Sequence, residues 1–198
     1  MQIQKILSTA ALIIGTSELA RGQSIPIATQ QIQISAFGAV TPVLTNLGGG
    51  KNIAVTAGAD IIFVGLRQYR SALEIRGTYP IADGSVNKQK SFVAGPTVEY
   101  PIGRFRPYAD FLVGRGAVRY LGNGYVFGNE RYISSSTFVY SPGLGLNYIA
   151  THHLAFKADL QYQNWNVPTV PSGSISPLVI SIGWNYMFDF NSHHNRDW

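Results

Sequence analysis

Hydrophobic and polar side chains alternate with a period of two along most of this chain. In residues 178–190 the even positions are apolar or aromatic, while the odd positions are mostly small or polar. A period of two is typical of a β-strand that has one apolar face. Two further clear copies and five weaker ones predict eight antiparallel strands in all, the other seven covering residues 32–40, 53–61, 73–79, 92–100, 105–113, 138–148 and 154–162.

The N-terminal segment has a different pattern. Lys5 precedes an almost wholly apolar stretch that runs from Ile6 to Gly15, and the segment ends in small residues at Ala20 and Gly22. This order of features predicts a signal peptide over residues 1–22, cleaved after Gly22. The alternative is an N-terminal helix that stays on the protein. We expect residues 23–190 to form one domain, followed by a polar tail over residues 191–198.

Composition excludes several classes of site. The chain has no cysteine, so it can form neither a disulfide framework nor a thiolate metal site, and it lacks the cysteine that lipid anchoring requires. The formal net charge is +5. Because the lysines and arginines are scattered instead of clustered on one periodic face, we expect no nucleic-acid partner.

An exported chain can still end in a membrane. After the signal peptide, the longest apolar run covers only residues 61–66, too short for a membrane-spanning helix. The other structure that spans lipid is a closed β-barrel, in which every backbone group pairs with a neighbouring strand. Alternation alone does not separate this barrel from a soluble one.

The position of the aromatic residues separates the two kinds of barrel. Aromatic side chains on the apolar parity tend to occur in pairs near the strand ends, eight to ten residues apart, which at about 3.3 Å per residue and about 40° of tilt is a rise of about 20–25 Å. That spacing is typical of the two aromatic girdles of a membrane barrel. We assign the girdles to Tyr69, Tyr79, Phe92, Tyr100, Tyr140, Tyr148, Trp184, Tyr186, Phe188 and Phe190.

The opposite parity carries charged and small polar residues, which indicates a polar lumen. Charges in a narrow lumen must pair with one another or keep water. We therefore predict a lumen charge network made of Asp60, Glu74, Arg76, Glu99, Arg106, Asp110, Lys157, Asp159 and Asp189.

Connection lengths predict the orientation. Long Gly-, Pro- and Asn-rich segments alternate with tight turns, so we place the long ones outside the cell and the turns, with both termini, on the periplasmic side. In the fifth strand, Gly114 and Gly116 suggest a bulge that would switch Arg115 and Arg119 to the other face. The long segments cover residues 41–51, 81–90, 121–134 and 166–176, and the turns residues 65–70, 101–104 and 149–153.

Several segments resemble the membrane domain of outer-membrane protein A and its short porin-like relatives. The likeness covers most of the chain after the signal peptide and is carried by residues 92–96 (FVAGP), 106–109 (RPYA), 143–148 (GLGLNY) and 153–155 (HLA). Residues 180–190 are similar to the aromatic-ended signal that this class presents to the barrel-assembly machinery. The tail after Phe190, with His193 and His194, departs from the family pattern. The peptidoglycan-binding domain of longer relatives has no counterpart, so we expect no wall tethering.

These observations predict an all-β fold, an eight-stranded antiparallel up-and-down transmembrane β-barrel in the outer membrane. We expect a monomer without enzymatic activity, cofactor or metal, with a structural or surface role and at most a narrow pore. Its expected partners are outer-membrane lipid and, during biogenesis, the barrel-assembly machinery.

Two other classes of function stay open. A lipid-modifying barrel enzyme would need a serine, a histidine and an acid near the outer rim, but all four histidines fall at the predicted periplasmic side: His152, His153, His193 and His194. Adjacent histidines in a strand point in opposite directions, which also argues against a metal site. A soluble periplasmic or extracellular binding barrel would need an apolar interior and a polar exterior, the inverse of the observed pattern.

Overall fold

The computed structural model describes residues 32–45, 51–63, 68–82, 87–120, 124–167 and 173–188, all of them within the compact unit Gln31–Trp198. The predicted signal peptide over residues 1–22 and the tail over residues 191–198 lie outside the described residues, as do Asp189, Phe190 and the His193–His194 pair.

The alternating segments form one closed sheet. Each of eight long strands pairs antiparallel with the next, and the last strand also pairs with the first. This closure confirms the predicted eight-stranded antiparallel β-barrel and removes the open edges that lipid would not tolerate. The strands are β1 (Ile32–Leu44), β2 (Lys51–Phe63), β3 (Arg70–Ala82), β4 (Asn87–Glu99), β5 (Phe105–Tyr120), β6 (Ser134–Ile149), β7 (Leu154–Tyr162) and β8 (Leu178–Phe188).

Four short strands extend the barrel at the end where the long connections lie. Tyr125–Phe127 pairs with Glu130–Tyr132 as a hairpin between β5 and β6. Asn164–Asn166 follows β7 after Gln163, pairs with β6 through Trp165 and Val139, and also pairs with Ser174–Ile175. Among the described residues no helix is long and apolar enough to cross a membrane.

The strands are longer at this end than the hydrophobic pattern predicts, and the suggested bulge in β5 is wrong. The pairing of β5 with β6 runs without a shift from Phe105 to Arg119, so Arg115 and Arg119 stay on the outward face.

Gly116 of β5 leaves space for a side chain in the lumen instead of forming a bulge. A Cβ there would lie 2.3 Å from the ring of Trp165, so Gly116 makes room for a large side chain in the lumen.

The two faces of the barrel have inverted polarity relative to a soluble protein. The outward side chains are apolar yet exposed, for example Leu144 at 64% and Ile182 at 51% exposure, whereas Glu74 and Gln161 in the lumen are fully buried. Exposed apolar area of this extent is stable where the surrounding solvent is itself apolar.

The width of an eight-stranded barrel leaves little room for inward side chains, and Gly58 shows how one is fitted. Phe37 of β1 points into the lumen against Gly58 of β2, its pairing partner. A Cβ at Gly58 would lie 2.4 Å from the Phe37 ring and 2.3 Å from the carbonyl oxygen of Ile75. Both contacts are closer than packed atoms allow, so this position requires glycine.

We expect Gly58→Ala to lower the free energy of unfolding by about 1–3 kcal/mol, the usual cost of overpacking a core. Gly38→Ala is the matched control, because Gly38 lies on the outward face of the neighbouring strand with nothing within 4 Å of an added Cβ. The control should change the free energy by less than about 0.5 kcal/mol. Urea unfolding in detergent micelles, followed by tryptophan fluorescence, measures both, and equal midpoints for the two variants would contradict this account.

Candidate functional site

The lumen holds a central charge cluster, which we define as Asp60, Glu74, Arg76, Asp110, Lys157 and Asp159. Strand register brings these residues together. Asp60 pairs with Glu74 across β2 and β3, and Arg76 follows Glu74 on the inward parity of β3. The inward parities of β5 and β7 supply the other three: Asp110, Lys157 and Asp159. All of them are at least 90% buried. These six belong to the network predicted from the sequence.

Arg76 is the centre of this cluster. Its Nε donates a hydrogen bond to Glu74 Oε1 at 2.5 Å, and its Nη2 also contacts that carboxylate. Its two terminal nitrogens donate to the two oxygens of Asp159 at 2.7 and 3.2 Å, and Nη2 lies 3.8 Å from Asp110 Oδ2. One planar guanidinium therefore joins carboxylates from three strands, using the bidentate geometry that arginine favours.

Lys157 completes the charge pairing on the other side of Glu74. Its ammonium donates to Glu74 Oε2 at 3.0 Å and lies 4.0 Å from Asp60 Oδ2. The same nitrogen sits 3.8 Å from the centroid of the Phe37 ring, close enough for a cation–π interaction. The ring thus serves as a further partner for a cation that is 3% exposed.

Neutral side chains satisfy most of the remaining carboxylate oxygens. Tyr108 donates its hydroxyl to Asp159 at 2.7 Å, and Gln161 donates to both oxygens of Asp110 at 2.8 and 2.9 Å. Ser35 donates to Asp60 at 3.0 Å, which leaves the other oxygen of Asp60 without a hydrogen bond. Because buried charges need both pairing and hydrogen bonds, these contacts hold the cluster in one arrangement.

A second group, the rim cluster, lies toward the tight turns and consists of Arg70, Glu99 and Arg106. Glu99 lies 3.5 Å from Arg70 and 3.7 Å from Arg106, and Asn147 donates to it at 3.2 Å. Glu99 and Arg106 belong to the predicted network. Sequence reasoning missed Arg70, because it was assigned to the turn over residues 65–70, whereas it begins β3 and faces inward.

A cavity of about 20 Å³ lies between the two clusters, lined by Asp60, Glu74, Glu99, Arg106 and Lys157 among others. That volume holds one or two water molecules. Several buried polar atoms around it have no hydrogen-bond partner, including Asp60 Oδ1, Glu99 Oε1 and Arg106 Nε. The cavity is therefore a place for water and is too small for an organic ligand.

The end of the lumen with the long connections is filled differently. A layer of hydrogen-bonded hydroxyls at Thr41, Thr56 and Thr78 lies on the inward faces of β1 to β3. The inward side chains of β4 to β6, of the two short strands 164–166 and 174–175, and of the residue that follows the first of these instead form an apolar plug of Val93, Leu112, Val118, Tyr120, Val139, Trp165, Val167 and Ile175. Sequence reasoning did not identify this plug, although Leu112 and Val139 are apolar residues on the inward parity.

The predicted girdle residues that the structure describes all lie on or beside the outward face and are exposed. Several contact other aromatic rings, as Tyr69 does with Tyr100 at 5.3 Å between centroids. Additional outward aromatics that the prediction omitted join them: Phe105 contacts Tyr148 and Phe156 contacts Trp184. The aromatic belt is thus denser than the sequence pattern indicated, especially at the end with the tight turns.

Catalytic chemistry has few candidates in the part of the chain that the structure describes. His152 and His153 are exposed in the tight turn after β6, and His153 Nδ1 lies 3.3 Å from the carbonyl oxygen of Met187. The described residues contain no group of three or more histidines and carboxylates placed to hold a metal ion. What the lumen offers instead is a set of mutually paired charges.

No family model and no curated protein matches this chain. Among solved structures, Neisserial surface protein A (NspA) is similar with a TM-score of 0.52 at 14% identity, covering 80% of this chain and 97% of that one. The attachment invasion locus protein Ail of Yersinia pestis aligns with a TM-score of 0.49 at 13% identity, over 80% and 99%. The outer membrane enzyme PagL aligns with a TM-score of 0.48 at 16% identity, over 78% and 99%. The likeness to NspA supports the observed fold, that of a small outer-membrane β-barrel.

Removing the central guanidinium tests the charge pairing. Arg76→Met would leave Glu74 and Asp159 buried beside each other with fewer cations, so we expect the free energy of unfolding to fall by about 3–5 kcal/mol. Arg104→Met, in an exposed turn, is the control and should change it by less than about 0.5 kcal/mol. Urea unfolding in micelles provides the measurement, and a loss below about 1 kcal/mol for Arg76→Met would show that the cluster is not a paired network.

Proposed function

We propose that this protein is an integral protein of the bacterial outer membrane whose barrel is a packed, non-catalytic anchor for segments displayed at the cell surface. The observation that carries the proposal is the inverted polarity of the barrel, with apolar side chains facing outward and nine paired charges facing inward. A soluble binding barrel would have the opposite arrangement. The described strand ends with long connections would face the cell exterior.

We also propose that the barrel does not conduct solutes in its resting state. The central charge cluster crosses the lumen from β2 to β7, and the apolar plug fills part of the end with long connections. An eight-stranded barrel has an interior that side chains can fill, and wide channels need about twice as many strands. In this barrel the side chains of the central charge cluster and the apolar plug occupy that interior.

An enzymatic role is less well supported. The lipid-modifying alternative places a nucleophile and its base at the outer rim, whereas the described histidines lie at the opposite end of the barrel. The fold is shared by proteins with unrelated functions, so a structural likeness to an enzyme does not transfer its activity. Membership of the outer-membrane protein A family and cleavage of residues 1–22 remain predictions.

Heat-modifiability tests membrane integration. Protein extracted from isolated outer membranes in mild detergent should migrate differently on a gel before and after boiling, because a closed barrel resists unfolding until heated. Circular dichroism of the unboiled sample should be dominated by strand. Recovery of the protein in the soluble fraction without detergent would overturn the proposal and favour the soluble binding barrel.

Planar-bilayer recording tests the closed lumen. The purified protein should give no stepwise conductance, since the central charge cluster and the apolar plug occupy the lumen, and the cavity between the central and rim clusters holds only about one or two waters. Detergent buffer alone and a wide porin provide the negative and positive controls. Stable single-channel steps from the folded protein would show that the packed lumen opens, and would contradict this part of the proposal.

A further inference from the structure

The charged side chains on the outside of the barrel are distributed unevenly. Across the described residues of the eight barrel strands, every outward charge is a cation, and all lie at the end with the long connections. Four of the five are on the adjacent strands β4 and β5, and we call this group the basic groove: Lys88, Lys90, Arg115 and Arg119. The fifth is Lys51 on β2.

Strand register holds the basic groove together. Lys88 pairs with Arg119, and Lys90 with Ala117, while Arg115 pairs with Phe92. On the far side of β5, the partners of Arg119 and Ala117 are the small polar residues Ser134 and Ser136 of β6. Four cations therefore surround a floor of small side chains, and no acidic side chain lies on the outward face of the described parts of β3 to β6.

The surface between these cations is concave. Two shallow depressions, of about 630 and 460 Å³, share Tyr79, Lys90 and Ala117 in their linings. The first also includes Phe92 and Arg115, and the second Lys88 and Arg119. An apolar depression thus continues into a basic one, which suits a molecule with a hydrocarbon part and an anionic part.

The height of the groove places it at the boundary of the membrane. At the tight-turn end, Tyr100 directly follows β4 and Phe105 begins β5. Lys90 lies ten positions before Tyr100, and Arg115 lies ten positions after Phe105. Ten residues at about 3.3 Å, tilted by about 40°, rise about 25 Å, the height of the apolar band of such barrels. Lys90 and Arg115 therefore lie at the outer edge of the hydrocarbon, and Lys88 and Arg119 lie above it.

We propose that the basic groove binds a phosphorylated lipid of the outer leaflet, with its phosphate groups held by Lys88, Lys90, Arg115 and Arg119 and an acyl chain against Phe92 and Ala117. Cations at this depth face lipid headgroups, and phosphate matches both the guanidinium fork and the ammonium groups. The absence of outward acids on the described neighbouring strands means that the groove's charge complements an anionic ligand. The inference rests on the proposed membrane location, because it requires lipid around the barrel.

The test counts bound lipid by native mass spectrometry, with the folded protein in zwitterionic micelles titrated with diphosphoryl lipid A. We expect one bound lipid, and an affinity that falls as salt is raised. The dephosphorylated lipid with the same acyl chains should bind at least tenfold more weakly to the wild-type protein, since about 1 kcal/mol per basic residue corresponds to about fivefold in affinity. If the wild-type protein bound the diphosphoryl and the dephosphorylated lipid equally well, that result alone would overturn the proposal.

A pair of double variants assigns the site. The double variant Lys90→Gln, Arg119→Gln should bind the diphosphoryl lipid about 25-fold more weakly than the wild type. The control double variant Arg104→Gln, Arg131→Gln removes the same charge from an exposed turn and the hairpin. Its affinity should stay within about twofold of the wild-type value. Lys90→Arg keeps the charge and should bind like the wild type. Equal affinity of the two double variants would place the lipid elsewhere.

Each variant is first checked for the boiling-dependent gel shift. A folded barrel in membranes that shows no preference for phosphate overturns the groove alone, whereas a protein without the gel shift overturns the membrane proposal. The two failures are therefore distinguishable.

Discussion

Closure of the sheet between β8 and β1 is the constraint on which the rest of this structure depends. In lipid a backbone N–H or C=O has no water to bind, so each strand needs a hydrogen-bonded neighbour on both sides. The nine residue pairs between β1 and β8, from Ile34–Phe188 to Leu44–Leu178, give these two strands their second neighbour. Closing with eight strands also fixes a narrow interior. Large inward side chains then need small neighbours, which is why Phe37 lies over Gly58 of the adjacent strand and the ring of Trp165 lies over Gly116.

The lumen charges have an effect that differs from simple stabilisation. Buried ion pairs contribute little net energy compared with apolar residues of the same size, because desolvation offsets their attraction. Their position is nevertheless informative. A slip of one residue in β3, β5 or β7 would turn Glu74, Asp110 or Lys157, respectively, outward into hydrocarbon, where a charge is strongly unfavourable. We therefore interpret the paired charges as the feature that makes one register much more stable than its neighbours, while the apolar outer face makes insertion favourable.

The sequence pattern predicted the strands and their faces better than the strand lengths. The period of two is visible wherever the outward residues are apolar, so the hydrocarbon-spanning part of each strand was identified. Beyond that level the outward residues become Lys88, Lys90, Arg115 and Arg119, and the apolar signal stops although the hydrogen-bonded ladder continues. Arg70 was missed for a related reason, because a strand that starts immediately after a turn has no alternation before it. The apolar plug was missed because the predicted seventh strand ended at residue 162. The structure keeps the same register against β6 as far as Trp165, which lies on the inward parity of Gln161 and Gln163.

Outward-facing cations lie at the end of the barrel with the long connections, and pairs of aromatic rings lie at the end with the tight turns. This asymmetry follows from the depth of each residue in the membrane. Aromatic rings are tolerated at both interfaces, because each has an apolar body and a polar or polarisable edge. A cation on the lipid face costs about 2–4 kcal/mol at the membrane centre and about 0–1 kcal/mol near the interface. Arg115 can therefore face outward only because this position of β5 lies at the edge of the hydrocarbon. Since the described outward charges of the strands all lie at this one end, they set an upper limit to the apolar band on β4 and β5, and the aromatic pairs at Tyr69–Tyr100 and Phe105–Tyr148 set the lower limit.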